Sequence, residues 1–242
     1  AGLCGGYDRG GIHQFPRIQC GRLLHYLRLF CHDVFPVLYQ QGLLERGKEM
    51  ILLNRKEVAA SIKQELKNKI DHLDFKPCLA VILVGDNQAS QVYVRNKEKA
   101  CLEIGFESRV YSFSDKASET ELVMFIEDLN QDSDVHGILV QLPLPKHINE
   151  TKVINAISPE KDVDCFSPIN VGKMLIGNTN LYPCTPAGIV EILHYYNINP
   201  EGKNCVVVGR SNIVGKPMSM LLLKENCTVT ICHSKTANLK NI

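Results

Sequence analysis

The chain has 242 residues, of which 45% are hydrophobic and 22% charged, a composition typical of a globular protein with a substantial buried core. Its 27 Lys and Arg residues nearly balance 26 Asp and Glu residues, and the net charge of +1 excludes the strongly basic surface typical of nucleic-acid or anionic-membrane binding. The sequence also lacks the run of about 18 apolar residues that a membrane-spanning helix needs.

Residues 1–49 differ in character from the rest of the chain. They do not begin with Met, show no clear hydrophobic period, and scatter Gly, Arg, His and Cys. A mitochondrial presequence is one interpretation, because acidic residues are sparse in this segment. We favour a second one, in which the segment is translated upstream DNA and Met50 is the true start. Residues 46–49 can all be encoded by purine-only codons, as in a bacterial ribosome-binding site.

From Met50 onward, helical and strand patterns alternate. The predicted elements are helix 54–71 with Asn54 as its N-cap, strand 79–84, helix 88–105, strand 107–113, helix 118–131, strand 136–141, helix 149–157, helix 185–197, strand 204–209, helix 215–225 and strand 227–232. Strands that are apolar throughout and alternate with helices predict an α/β fold with parallel sheets covered on both faces.

We divide this part of the chain into two α/β domains. A catalytic domain is predicted at 50–184, and a Rossmann-type dinucleotide-binding domain at 185–242. The connector helix 185–197 leads into the second domain, and its start is marked by Thr185 as N-cap and Pro186 at the first helical position.

A glycine-bounded loop joins strand 204–209 to helix 215–225. Gly209 permits a tight turn, Gly215 permits close approach of the helix, and the free N–H groups at the helix start would face a pyrophosphate. Ser211 stands where the usual fingerprint has its second glycine, so a purely structural turn is the alternative.

The choice of dinucleotide depends on the end of the last strand. An NAD site wants an Asp or Glu there for the ribose 2′-hydroxyl, whereas this chain has Cys232-His233-Ser234-Lys235. Arg210, Ser234 and Lys235 would suit a 2′-phosphate, and a solvated basic loop is the alternative. Together with the glycine loop, this pattern favours NADP.

Polar residues recur at helical spacing after strand 79–84. Ser90, Tyr93 and Lys97 lie at i, i+3 and i+7, so they line one helix face near the carboxyl end of a parallel strand, where ligands bind. The tyrosine can stack on a flat ring and the lysine can transfer protons. A surface lysine beside a half-buried tyrosine is the alternative.

Two further candidates follow strand 136–141. Gln141 precedes Leu-Pro-Leu-Pro, which ends the strand and leaves the amide at the same edge. A carboxylate in the run Asp162-Val163-Asp164 could accept paired N–H bonds from a 2-amino-pyrimidinone ring. A strand-end cap and a turn-forming pair of aspartates are the respective alternatives.

These motifs, taken together and in order, resemble the methylenetetrahydrofolate dehydrogenase/cyclohydrolase family. The resemblance rests on YVRNK at 93–97, VQLPLP at 140–145, DVDCFSPINVGKM at 162–174, PCTPAG at 183–188, VVGRSNIVGKP at 207–217 and CHSKT at 232–236. It covers essentially all of residues 50–242.

The resemblance implies a bifunctional enzyme of two α/β domains, a folate-binding catalytic domain and an NADP-binding domain. NADP⁺ would oxidise 5,10-methylenetetrahydrofolate to the methenyl cation, which water would convert to 10-formyltetrahydrofolate. By the family pattern Lys97 is the general acid/base, Gln141 positions it, Tyr93 packs on the folate beside Ser90, and Asp164 holds the pterin. The NADP contacts map onto Gly209, Arg210, Ser211, Gly215 and Ser234. The family pattern further implies a cytoplasmic homodimer that needs no metal.

Cys165 departs from the family pattern, which often has glycine after Asp-Val-Asp, and we expect little functional cost from this small side chain. The chain also ends early for a full dinucleotide domain, which has roughly six parallel strands. We therefore expect about 90 missing C-terminal residues, and a chain of low stability and weak activity.

Three rival interpretations stay open. The chain could be an inactive fragment or pseudo-enzyme that binds folate or nucleotide, an enzyme with only the dehydrogenase or only the cyclohydrolase activity, or an amino-acid dehydrogenase. The last shares the two-domain architecture but has no use for the QLPLP and DVD stretches. The ten cysteines include no Cys-x-x-Cys pair, so we expect reduced buried thiols rather than disulfides or a metal site.

Overall fold

The computed structural model describes residues 53–179 and 181–242, so the predictions for residues 1–49 and for Met50 lie outside the described residues. The helices are α1 (Arg55–Ile70), α2 (Gln88–Glu103), α3 (Glu119–Gln131), α4 (Glu150–Ala156), α5 (Pro168–Leu175), α6 (Cys184–Tyr195) and α7 (Gly215–Lys224). The strands are β1 (Cys78–Val84), β2 (Glu107–Phe113), β3 (Gly137–Val140), β4 (Asn204–Val208) and β5 (Thr228–Cys232), and a 3₁₀ turn follows at Leu239–Asn241.

The first sheet has the order β2-β1-β3, and all its strands are parallel. Every residue of the central strand β1 is buried. Val81 packs on one side with residues of α1 and α2, whereas Ile82 packs on the other side with residues of α3 and α4. The prediction of a parallel sheet covered on both faces is therefore confirmed for this part of the chain.

The second sheet consists of the parallel pair β4-β5, in which Cys205 lies opposite Val229. Helix α7 covers one face, where Leu221 and Leu222 pack with Val207. Along β4 the neighbouring positions face the other way, and Val208 is 70% exposed. The prediction of two covered faces is thus wrong for this sheet within the described residues, because only one layer of helix packs on it.

Two helix starts differ from the predictions. Helix α5 was not predicted, although Ser167 followed by Pro168 is an N-cap signal: the Ser167 side chain accepts a hydrogen bond from the Asn170 N–H. Thr185 is not the N-cap of the connector helix, because α6 begins at Cys184 and Pro183 precedes it without a side-chain cap. The predicted cap at Asn54 is confirmed, since its side chain accepts from the Lys56 N–H.

The end of α6 is joined to the start of α1. The Tyr196 hydroxyl accepts a hydrogen bond from the Asn54 N–H at 2.9 Å, and the Tyr195 hydroxyl donates to Glu57 at 3.1 Å. The C-terminal end of the connector helix is thereby attached to the start of α1 in the first domain. None of the helices within the described ranges combines the length and the apolar character needed to cross a bilayer.

Candidate active site

Lys97 lies on the buried face of α2 and is only 5% exposed. This helix starts beside the carboxyl end of β1, where the Asn87 side chain caps it by accepting from the Ser90 N–H at 3.0 Å. Ser90 is buried on the same face, and Tyr93 lies half-buried next to it. The predicted clustering of these three residues on one side of a helix at the strand edge agrees with the structure.

Gln141 directly follows β3, and this position places its side chain next to Lys97. Its backbone N–H still donates to Ile82 of β1, which continues the strand pairing by one residue. Its side-chain amide nitrogen donates to the Leu142 carbonyl at 2.7 Å. That bond fixes the orientation of the amide, so Oε1 faces the Lys97 Nζ and accepts from it at 3.1 Å.

A neutral acceptor suits a residue that exchanges protons. The ammonium form of Lys97 and its neutral amine form both carry N–H groups, so Gln141 can hold the side chain in either state. Among the residues that the structure describes, none of the salt bridges involves Lys97. A neutral amide, rather than a carboxylate, is therefore the hydrogen-bond partner of Lys97 seen in this part of the chain.

Cys101 lies one helical turn beyond Lys97 and is fully buried. Burial raises the pKa of its thiol to about 12. A thiol that stays protonated at neutral pH is a poor nucleophile. Cys101 therefore acts as packing for α2, in agreement with the prediction of buried, reduced thiols.

Asp164 lines a small pocket beside β3. The other lining residues include Val140, Leu142 and Phe166. Leu142, which follows Gln141 in the chain, lines this pocket together with Asp164. In the run 161–165 only Asp164 is not buried.

The sequence predictions missed the role of Asp162. This aspartate is 2% exposed, and its carboxylate accepts hydrogen bonds from the Ser167 N–H and the Asn170 side chain, each at 2.9 Å. Asn170, which is also buried, donates further to the Pro159 carbonyl at 2.8 Å. The available signal was the Ser-Pro helix start five residues after Asp162.

The glycine loop has the close backbone packing that a dinucleotide site requires. Gly209 has a φ of 145°, a conformation that favours glycine, and its N–H donates to the Cys232 carbonyl of β5 at 2.8 Å. A Cβ atom on Gly215 would lie 2.5 Å from the Gly209 carbonyl carbon, so no side chain fits between α7 and the loop. The loop and the end of β5 therefore form one continuous surface.

The N–H groups at the start of α7 were predicted to be free, but two of them donate to Ser211. Its hydroxyl accepts from the N–H groups of Val214 and Gly215, both at 3.2 Å. Arg210 is exposed beside it, and Ser234 and Lys235 are exposed at the end of β5. From Thr228 to Ile242 the chain has no acidic residue, so these groups fit a ligand with an additional phosphate.

No cluster of three or more His, Cys, Asp or Glu side chains suitable for a metal ion occurs within the described ranges. The fold and the site thus describe a two-domain α/β protein with a buried lysine hydrogen-bonded to a glutamine in one domain and a dinucleotide-type loop in the other.

Comparison with known proteins places this protein in a family. Residues 53–164 match the catalytic domain of tetrahydrofolate dehydrogenase/cyclohydrolase, and residues 183–242 match the NAD(P)-binding domain of the same proteins. The chain belongs to the tetrahydrofolate dehydrogenase/cyclohydrolase family.

The bifunctional protein FolD of Ruminiclostridium cellulolyticum is 60% identical over 194 residues, which cover 79% of this chain and 68% of that protein. FolD of Acetivibrio thermocellus is 55% identical over 197 residues, covering 80% and 69%. The crystal structure of the Campylobacter jejuni bifunctional enzyme FolD superposes with a TM-score of 0.78 at 49% identity, covering 80% of this chain and 70% of that one. The Trypanosoma brucei enzyme, complexed with NADP cofactor and inhibitor, has a TM-score of 0.70 at 36% identity, covering 74% and 63%.

Proposed function

We propose that this protein oxidises 5,10-methylenetetrahydrofolate to 5,10-methenyltetrahydrofolate with NADP⁺ and then hydrolyses the product to 10-formyltetrahydrofolate. Family membership supports the pair of reactions. The observation that carries the proposal is the hydrogen bond between the buried Lys97 and Gln141, because both reactions take place at one carbon and the second needs a proton carrier beside it.

Lys97 acts in the hydrolytic step. Its neutral amine takes a proton from the water that attacks the methenyl carbon, and the resulting ammonium gives a proton to the ring nitrogen whose bond to that carbon breaks. The net reaction releases one proton, because a cation and water become a neutral formyl amide. A cationic substrate next to Lys97 disfavours the ammonium and so favours the base form needed first.

The neighbouring residues hold the folate. Gln141 keeps the Lys97 amine directed at the reacting carbon in both protonation states. Tyr93 packs on the flat ring system with Ser90 beside it, and the Asp164 carboxylate accepts N–H groups from the pterin. Each of these roles is a proposal that extends the observed geometry to the bound substrate.

The second domain binds NADP⁺, which supplies the hydride acceptor when bound. Gly209 and Gly215 allow the backbone of the loop to approach the pyrophosphate closely. Ser211 organises the start of α7. Arg210 and Ser234 contact the 2′-phosphate, and the absence of an acid from Thr228 onward supports NADP⁺ over NAD⁺.

We further propose that the protein works as a cytoplasmic homodimer with a small-molecule folate as its substrate. The near-neutral charge and the family resemblance support this proposal. Sedimentation equilibrium of the purified chain tests the oligomeric state, and a monomer across the micromolar range would contradict it.

The variant Lys97→Met tests the catalytic proposal, with Lys99→Met as a matched control at an exposed position of the same helix. The assay follows NADPH and methenyltetrahydrofolate by absorbance, with NADP⁺ and NAD⁺ in parallel. We expect Lys97→Met to lose cyclohydrolase turnover by at least about a hundredfold while it still binds tetrahydrofolate, and Lys99→Met to behave as the unchanged chain. Hydrolysis at the unchanged rate in Lys97→Met would remove Lys97 from the mechanism. Oxidation without hydrolysis in the unchanged chain would instead indicate a dehydrogenase with one activity.

A further inference from the structure

Asp162 and Asp164 are separated by one residue but have opposite environments. Both residues border the small pocket beside β3, but Asp164 is partly exposed whereas Asp162 is 2% exposed. The Asp162 carboxylate accepts from the N–H of Ser167 at 2.9 Å and from that of Phe166 at 3.4 Å. A buried carboxylate that accepts several N–H groups is held firmly, because each of these hydrogen bonds is charge-assisted.

These hydrogen bonds close a loop around Asp164. Residues 162 and 167 are bridged by the Asp162 side chain, and the Asn170 amide adds a third donor from the first turn of α5. The chain reverses at Cys165, whose φ is 57°, and its N–H donates to the Asp162 carbonyl at 3.3 Å. Both the backbone and the side chain of Asp162 therefore hold the segment that follows it.

The same aspartate is anchored to the sheet that carries Gln141. Ile138 and Asp162 form a parallel bridge, in which the Ile138 N–H donates to the Lys161 carbonyl at 2.7 Å. Gln141 lies three residues after Ile138, directly beyond the end of β3. The position of the Asp164 carboxylate relative to the end of β3 is thus set through Asp162.

We propose that Asp162 is a positioning residue, which holds the Asp164 carboxylate in place by fixing the loop 162–167 between β3 and α5. This inference rests on the proposed function, in which Asp164 binds the folate ring. Asp162 itself is 2% exposed, and its carboxylate is engaged by the N–H groups of Phe166 and Ser167 and by the Asn170 amide. In Asp162→Asn one carboxylate oxygen becomes an NH₂ group that opposes the surrounding N–H donors, so the loop must shift and carry Asp164 with it.

A double-mutant cycle between Asp162→Asn and Asp164→Asn tests the proposal, with the exposed Asp134→Asn as matched control. The readouts are the dissociation constants of tetrahydrofolate and NADP⁺, measured by calorimetry, and the melting temperature. We expect Asp162→Asn to weaken tetrahydrofolate binding about tenfold and leave NADP⁺ binding unchanged. In the Asp164→Asn background, the same change should weaken tetrahydrofolate binding less than about twofold further.

The cycle separates positioning from a merely structural role. In a merely structural role, Asp162→Asn would lower the melting temperature, and the losses of tetrahydrofolate affinity of the two variants would be additive in binding free energy. That additive result would overturn the proposal. Unchanged tetrahydrofolate binding in a folded Asp162→Asn variant would also overturn it. If Asp162→Asn does not fold, Asn170→Ala replaces it in the cycle, since this variant removes one donor to the Asp162 carboxylate, and the same non-additivity is required. Failure of the unchanged chain to bind tetrahydrofolate would contradict the proposed function itself, which is a distinguishable result.

Discussion

Gly215, the first residue of α7, lies against the backbone of the phosphate loop, and its replacement by alanine tests that packing. An added Cβ would meet the Gly209 carbonyl group and would lie 2.8 Å from the Arg210 nitrogen. Carbon atoms in good contact are about 3.5 Å apart, so the helix or the loop must move by roughly 1 Å. All the nearest atoms belong to the backbone, and no flexible side chain can yield.

The magnitude follows from the cost of overpacking a tight site. Such changes cost about 1–3 kcal/mol, although alanine recovers up to about 1 kcal/mol through its better helix propensity. Movement of the N-terminal end of α7 would also disturb the Ser211 hydrogen bonds and the packing of Leu221 and Leu222 on Val207. We expect a lower free energy of unfolding and weaker NADP⁺ binding.

Gly172→Ala is the matched control, because the same added methyl group would have no atom within 4 Å in α5. A helical glycine with open space around it should gain about 0.5–1 kcal/mol on becoming alanine. Thermal unfolding followed by circular dichroism compares the two variants, with NADP⁺ affinity measured by calorimetry. Opposite signs of the stability change are expected. Equal stability and equal NADP⁺ affinity of Gly215→Ala and the unchanged chain would refute the packing argument.

Two further predictions concern pH and backbone strain. Burial raises the pKa of Glu191 in α6, so its ionised form costs stability at neutral pH and this cost disappears below the unfolded-state pKa. Glu191→Gln should therefore raise the melting temperature near pH 7 and leave it unchanged near pH 4; an equal increase at both pH values would contradict the burial argument. Cys165 has a φ of 57°, and its thiol donates to the Leu181 carbonyl. Replacement by alanine or by glycine removes the thiol, but only glycine adopts this left-handed conformation without strain. Cys165→Gly should thus be more stable than Cys165→Ala by about 1 kcal/mol in chemical denaturation, and the reverse order would show that the left-handed conformation carries no cost.

Much of the candidate site could be predicted from local patterns. The spacing of Ser90, Tyr93 and Lys97 indicates one helix face, whatever the helix packs on. Because a strand directly precedes this helix, the N-terminal end of the helix is expected at the edge of the sheet. The proximity of Gln141 follows from the same rule, since it ends a neighbouring parallel strand. The hydrogen bond between Gln141 and Lys97 could be predicted only from the family resemblance, because no local pattern specifies the orientation of an amide.

Other features could not be predicted because they depend on contacts between distant segments. Ser211 occupies a glycine position of the usual fingerprint, and only the close approach of α7 shows that its hydroxyl caps the helix start. Val208 looks like a core residue of a buried strand, yet it is exposed because, among residues 53–179 and 181–242, helical packing covers only one face of β4-β5. The burial of a strand residue is decided by what covers the sheet, which the strand's own sequence does not contain.

Local sequence is enough to predict the α/β alternation, most helix and strand positions, the lysine-bearing helix face and the family, since periodicity, caps and ordered motifs are properties of nearby residues. The fold, and not the local sequence, explains why Asp162 of the run Asp162-Val163-Asp164 is buried while Asp164 stays partly exposed. The two carboxylates have nearly identical neighbours along the chain, and one of them is buried because the N–H groups of α5 come within hydrogen-bonding distance of it. Burial of a charge requires partners to replace its water, and here those partners come from the fold.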